Sequence, residues 1–194
     1  MATKTNITGI ILAGGKSSRM GSDKALMQFN GKTFLEHVVC ALKPLVDDIL
    51  IVSDNPMHEG FGYSRVLDTI KDAGPLSAIH AGLTHSSTEK NLLLSCDVPL
   101  IETSVLEFLI ENLEEEIDVI QLTNKEKSIP LVALYKKRVA PYFFTLLKQG
   151  ERRIIKALNG LHTKSLSIAK DQERFVMNVN TLSDLNEIKN GNKN

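Results

Sequence analysis

The sequence predicts an α/β fold: one domain built on a mostly parallel sheet with helices on both faces. Three observations lead there. Short apolar runs of strand length alternate with helix-type patterns along the whole chain. Those runs are near-continuous rather than alternating, as strands covered on both faces require. At 194 residues the chain has room for one domain with a core that hides about 70% of the unfolded surface.

Ile7–Ala13 is the first apolar run and ends at Gly14 and Gly15. A loop of small residues follows, holding Lys16, Arg19 and Lys24. Glycines let the backbone approach a ligand closely, and N–H groups and cations can then face an anion. The loop is not a Walker A: Gly15-Lys16-Ser17 fits its end, but the first glycine would fall at Ile10. The dinucleotide fingerprint is missing too, since Gly14 and Gly15 are adjacent and Gly21 is too distant. An ordinary β–α turn made of turn-forming residues is the competing reading.

Thr33-x-x-Glu36 is a capping box. It opens a helix with Phe34, Leu35, Val38, Val39 and Leu42 on one face, and Pro44 ends it. Asp48 precedes a second strand, Ile49–Ser53, and a short strand near Val66–Leu67 leads into Asp68. Gly74-Pro75-Leu76 starts a helix that runs to about His85, with proline in its first turn. Asn91–Ser95 is a third buried strand, and Cys96-Asp97-Val98-Pro99 sits at its carboxyl end.

Ser104-x-x-Glu107 caps a helix running to about Glu114, whose acidic end is a solvated face. Ile117–Leu122 and Leu131–Tyr135 are two more strands joined by a polar connection, Asn124–Ser128. Helical patterns at about Ala140–Lys148 and Arg152–Leu158 stop at Gly150 and Gly160. A last strand, Phe175–Val179, meets Asn180, and Thr181-x-x-Asp184 starts the final helix. Ligands of such sheets bind at the carboxyl ends of the strands, where the first loop and Asp97 both fall.

Composition narrows the partners. Lys plus Arg and Asp plus Glu each number 23, so no global attraction to polyanions exists and nucleic acid is excluded as the main partner. Cys40 and Cys96 are the only cysteines and form no metal or disulfide spacing. The five histidines also lack ligand spacing. No apolar stretch reaches membrane-spanning length, and no signal-peptide pattern precedes Ile7. A soluble protein of a reducing cytoplasm is expected, with no membrane partner.

Asp97 is either a turn-forming aspartate or a carboxylate ligand for Mg²⁺, which takes a few carboxylate oxygens together with substrate phosphates. The loop and Asp97 together describe a nucleoside triphosphate site with a metal. Phosphoryl transfer and nucleotidyl transfer both remain open on spacing alone.

The segment Leu12-Ala13-Gly14-Gly15-x-Ser17-x-Arg19-Met20-Gly21-x-Asp23-Lys24 resembles the signature of the molybdenum cofactor guanylyltransferases. The likeness continues through Asp68, Gly74-Pro75-Leu76, Cys96-Asp97-x-Pro99, Gly150-Glu151-Arg152-Arg153 and Asn178-Val179-Asn180-Thr181, in the family's order and over almost the whole chain. It implies a Rossmann-like, nucleotide-diphospho-sugar transferase-like domain over residues 1–190, with 191–194 a frayed tail. It also implies GMP transfer from GTP to the phosphate of the molybdopterin cofactor, with release of pyrophosphate.

By the same resemblance Leu12, Ala13, Gly14 and Gly15 lie against the nucleotide, and Arg19 and Lys24 act on the triphosphate. Asp97 holds Mg²⁺, with Mn²⁺ not distinguished from it. Asp68 and Ser53 (or Asn55) belong to the GTP site. Read from the residues themselves, one of Arg152 and Arg153 binds the pterin phosphate, and Asn178 and Asn180 contact the second substrate, both facing one way if Val179 lies between them on a strand. Solvated basic residues and helix capping are the plainer readings of these last residues. Ala78 and Ile129-Pro130-Leu131 depart from the family pattern, where Gly and His-Pro-Thr are commoner. The alternatives are a related cytidylyltransferase or sugar-phosphate nucleotidyltransferase, and a non-catalytic nucleotide-binding carrier touching cofactor-delivery proteins.

Overall fold

The computed structural model describes residues 5–14 and 23–191. Its main sheet has seven strands: β1 (Ile7–Leu12), β4 (Asp48–Val52), β5 (Ser64–Val66), β6 (Lys90–Ser95), β7 (Val119–Asn124), β8 (Lys127–Lys136) and β9 (Thr163–Ser167). A two-stranded ribbon pairs β2 (Gln28–Phe29) with β3 (Lys32–Thr33). The helices are α1 (Phe34–Leu42), α2 (Pro75–His85), α3 (Thr103–Glu111), α4 (Ala140–Lys148), α5 (Ile154–Leu158) and α6 (Leu182–Gly191).

The strand order is β5-β4-β1-β6-β8-β7-β9. All the pairings are parallel except those of β8, which runs antiparallel to both β6 and β7. The carboxyl ends of β1, β4, β5 and β6 therefore share one edge. The mostly parallel sheet is as the sequence predicts.

Every residue of β1 is buried, because an apolar core covers each face. On one side Ile11, Ile49, Ile51 and Leu94 pack against Leu35, Val38 and Leu42 of α1 and Val105 and Leu109 of α3. On the other, Ile10, Val52 and Leu93 pack against Leu76, Ile79 and Leu83 of α2 and Phe143 of α4. Helix α2 lies close on β1: a Cβ on Gly82 would come within 2.5 Å of Ile10 Cγ2. That methyl is on a stiff β-branched side chain and cannot swing aside.

Helix α1 has the expected capping box, with Glu36 N–H bonded to Thr33 Oγ1 at 3.2 Å and Thr33 N–H to Glu36 Oε2 at 2.6 Å. Helix α2 starts at Pro75 after Gly74, whose φ of 75° and ψ of −172° suit glycine. Asp184 and Thr181 cap α6 reciprocally.

Four expectations need correction. Helix α3 starts at Thr103 with no side-chain cap, so Ser104 lies inside it, and it ends at Glu111. Thr103 Oγ1 instead donates to Ala41 O of α1 at 3.0 Å. The polar Asn124–Ser128 connection is ladder except for Lys125 and Glu126, both at positive φ, a two-residue hairpin turn. Helix α5 starts at Ile154, not Arg152. The Phe175–Val179 strand is absent: Lys170–Val176 is a 3-10 helix, and residues 177–180 join no strand. The seventh strand is β9, which the sequence reading left out.

Between Gln121 and Leu122 the register on β8 jumps from Ala133 to Ile129, leaving Pro130, Leu131 and Val132 in a bulge facing β7. The buried Tyr135 hydroxyl donates to Pro130 O at 2.9 Å and holds that bulge. Among the described residues, no helix is long and apolar enough to cross a membrane.

Candidate active site

The strand ends at the carboxyl edge build the site. Ala13 N–H bonds to Val52 O of β4 at 2.9 Å, and Cys96 N–H bonds to Leu12 O at 3.0 Å. The end of β1 is thus stitched on both sides, and Gly14 emerges exposed between β4 and β6. Leu12 and Ala13 are buried. Gly15 and Arg19 lie outside the described residues.

The chain re-enters at Asp23, which caps a short 3-10 helix, Lys24–Leu26, by accepting from Ala25 N–H at 2.9 Å. Lys24 Nζ donates to Asn180 Oδ1 at 2.6 Å. The residue before Asn180 is bound in turn to the end of β6, with Val179 N–H on Asp97 O at 2.8 Å. Lys24 and Asp97 therefore share one end of the sheet. The buried Cys96 thiol senses both: burial pushes its pKa up, the Asp97 and Asp23 charges add to the rise, and Lys24 opposes it.

Asp97 Oδ1 is buried and has no hydrogen-bond partner among the described residues. The same holds for Asp68 Oδ1, just beyond β5. Burial, with the Asp54 and Asp72 charges behind it, pushes Asp68 up to about 6. An unpaired carboxylate oxygen at a strand end is costly unless something cationic completes it. Among the described residues, no three His, Cys, Asp or Glu side chains converge to cage a metal. A magnesium bound by one carboxylate and substrate phosphates needs no such cage, so Asp97 fits that ion.

Ser53 is held by partners within the protein. It is 1% exposed. Its N–H bonds to Val66 O, its carbonyl accepts from Arg65 Nη1 at 2.9 Å, and its hydroxyl lies 2.7 Å from His58 Nδ1. Ser53 supports the site from beneath. Asn55, the other candidate here, donates from Nδ2 to Asp23 Oδ2 at 2.6 Å.

Arg152 comes near the start of α2. A Cβ on Gly74, which precedes α2, would lie 3.8 Å from Arg152 O. Arg152 Nη1 donates to Leu147 O and Glu151 O, and Glu151 also takes Arg153 Nε at 3.0 Å and Lys156 Nζ at 3.3 Å. An open cavity of about 690 Å³ lies here, lined by Gln149, Glu151, Arg152, Arg153, Lys156 and Asn159 among others. Asn178 is exposed, Val179 buried and Asn180 partly buried. With no strand there, the shared direction expected for Asn178 and Asn180 loses its basis. Asn180 joins the site through Lys24.

The geometry gives supporting contacts to Asp23, quoted in the first segment without a role, and to His58 and Arg65, which pattern reading passed over. Only Asp23 carried a local signal, as a capping aspartate beside Lys24.

Residues 9–163 match the MobA-like NTP transferase domain. The chain belongs to the MobA-like NTP transferase family. A protein of Vibrio campbellii named molybdenum cofactor guanylyltransferase is 34% identical over 95% of this chain and 96% of its own. One of the same name from Desulfosudis oleivorans is 35% identical over 92% of each chain. Among solved structures, molybdopterin-guanine dinucleotide biosynthesis protein A of Archaeoglobus fulgidus superposes with a TM-score of 0.80 at 25% identity, covering 95% of this chain and 99% of its own. A 4-diphosphocytidyl-2C-methyl-D-erythritol synthase of Anaerococcus prevotii, at a TM-score of 0.76 and 12% identity, shares the fold. Nucleotidyltransferases of more than one base share this architecture.

Proposed function

We propose that this chain transfers GMP from GTP to the terminal phosphate of the molybdopterin cofactor, forming the guanine dinucleotide and releasing pyrophosphate. The observation that carries the reading is the convergence of Lys24 and the unpartnered Asp97 carboxylate on one strand edge, in a chain whose relatives bear that activity in their names.

The nucleophile is itself an anionic phosphate at neutral pH, so no side chain has to remove a proton from it. The barrier is charge: one polyanion must approach another. Lys24, with Arg19 from the same loop, lowers that repulsion and steadies the departing pyrophosphate. Asp97 is the residue that would hold Mg²⁺ (Mn²⁺ can serve in its place), and the ion supplies divalent charge beside the phosphates. The stitched β1 end, with Leu12, Ala13 and Gly14, offers a rigid floor for the nucleoside, and Asp68 borders it. Asn180, bound to Lys24, marks the side from which the second substrate approaches, and Arg152, with the cavity beside it, suits an anionic group of that substrate. Holding both reactants in line supplies much of the remaining acceleration.

The test is direct. The protein is incubated with Mg²⁺, molybdopterin cofactor and each of GTP, CTP, ATP and UTP, and products are resolved by mass. Guanine dinucleotide with GTP alone is expected. Product with CTP in place of GTP moves the chain to the cytidylyltransferases. Tight GTP binding without product makes it a carrier.

A further inference from the structure

Beneath the site lies a polar chain that connects the Lys24 segment to the end of β4. Asn55 N–H donates to Ser53 Oγ at 3.0 Å, and Ser53 Oγ lies 2.7 Å from Nδ1 of the fully buried His58. On the other side of the ring, His58 Nε2 is 3.2 Å from Asp23 Oδ2, off the ideal hydrogen-bond line and with no other partner. The same Oδ2 accepts from Asn55 Nδ2, while Oδ1 caps Ala25. These contacts fit one proton arrangement: Ser53 donates to Nδ1, and Nε2–H faces the Asp23 carboxylate. Burial lowers the imidazole pKa, and Asp23 opposes that shift.

A buried imidazole facing a carboxylate that would otherwise lose hydrogen bonds is a costly arrangement for mere filling. Its partner is the residue immediately before Lys24, across 35 positions of sequence. We infer that His58 is a positioning residue, which with Asn55 clamps Asp23 so that Lys24 is presented to the triphosphate. The inference rests on the reading of Lys24 as a triphosphate contact.

The test is a double-mutant cycle on the full-length protein. His58→Asn keeps an amide near the Nδ1 position and loses the reach to Asp23. His58→Gln places an amide near the Nε2 position and keeps that reach. Affinity for a fluorescent GTP analogue and kcat/KM for pyrophosphate release are both measured. His58→Asn should lower each by about tenfold, as a misplaced group does, and His58→Gln should restore most of the loss. In a Lys24→Ala background, His58→Asn should change either quantity less than about twofold.

Equal losses with and without Lys24 overturn the inference, as does His58→Asn at wild-type level. Asn55→Ala loosens the same clamp from a partly exposed position and gives the same cycle if His58→Asn is unstable. Binding without transfer refutes the proposed reaction and leaves the clamp testable by affinity. Transfer with additive losses refutes the clamp alone, and failure of the wild type to bind GTP refutes both.

Discussion

The two halves of the sheet differ in the carboxylates they leave at or near strand ends. In the parallel half, β5-β4-β1-β6, Asp68 and Asp97 stand at strand ends, each with a buried oxygen that has no hydrogen-bond partner among the described residues. In the mixed half, β8-β7-β9 and the segments around it, several carboxylates are paired. Asp118 accepts Arg138 Nε at 2.8 Å and His162 N–H at 3.0 Å, Glu114 takes Lys164 at 2.6 Å, and Glu151 holds Arg153 and Lys156. The titrations follow: Asp68 is pushed up by burial, whereas hydrogen bonds from Arg138 and His162 overcome burial and pull Asp118 down. The buried orphans of the mixed half are neutral amide oxygens of Gln121 and Asn124, which cost far less than a charge. On the proposed function, cations and substrate complete the strand ends of the parallel half, whereas the paired carboxylates of the mixed half find their partners within the chain.

The sharpest way to break this contrast is Asp97→Ala. Turnover should fall about 10²- to 10³-fold, the scale of losing a group that stabilises developing charge. Stability should hold or rise, because the variant removes a desolvated oxygen with no partner. Pyrophosphate release and a thermal melt on the same sample check both. Near-normal release from the folded variant would place Asp97 with the self-satisfied carboxylates.

Asp68→Asn tests the same idea on stability. The folded state raises this pKa from 3.8 to about 6, so ionising Asp68 costs the fold. Below the ordinary carboxylate range both states are protonated and the variant gains nothing. The gain grows as pH rises through the folded value and is constant above it. Asp68 is only partly buried, and screening holds the gain to about 1 kcal/mol, or roughly 2–4 °C for a chain of this size. Melts at pH 4 and pH 7.5 should differ accordingly. GTP affinity should weaken at the same time, since a site residue trades stability for function.

The parallel half was also the legible half. Its central strands β4, β1 and β6 carry apolar runs, its helices start at a capping box and at Gly74-Pro75, and Asp68 and Asp97 stand where strand logic puts ligands. The mixed half hides its signals. β9 (Thr163–Ser167) is an edge strand with polar residues on both faces, so neither alternation nor an apolar run marks it. The Lys125-Glu126 turn lacks the Asn-Gly signature of its type. Phe175–Val179 has strand composition, yet Val179 spends its N–H on Asp97 rather than on a ladder. Within the site, His58 escaped a local reading for a related reason. Its role rests on Asp23, far away in sequence, and no periodicity records a contact between distant side chains.

The smallest expected effect is in the mixed half. Asp118→Asn leaves Arg138 without its charged partner, but the pair sits at the surface and solvent screens it. A loss of about 0.5 kcal/mol is expected, or about 1–2 °C in Tm. The pH dependence has the opposite sign to that of Asp68. The folded pKa of Asp118 is depressed, so its contribution is full above the ordinary value of 3.8 and disappears as pH falls through the lower folded value. Wild type and variant should therefore differ at pH 7 and converge in strong acid, with turnover at pH 7 unchanged. A fall in turnover matching that of Asp97→Ala would mean that the self-satisfied half also takes part in the chemistry, and the division between the halves would be lost.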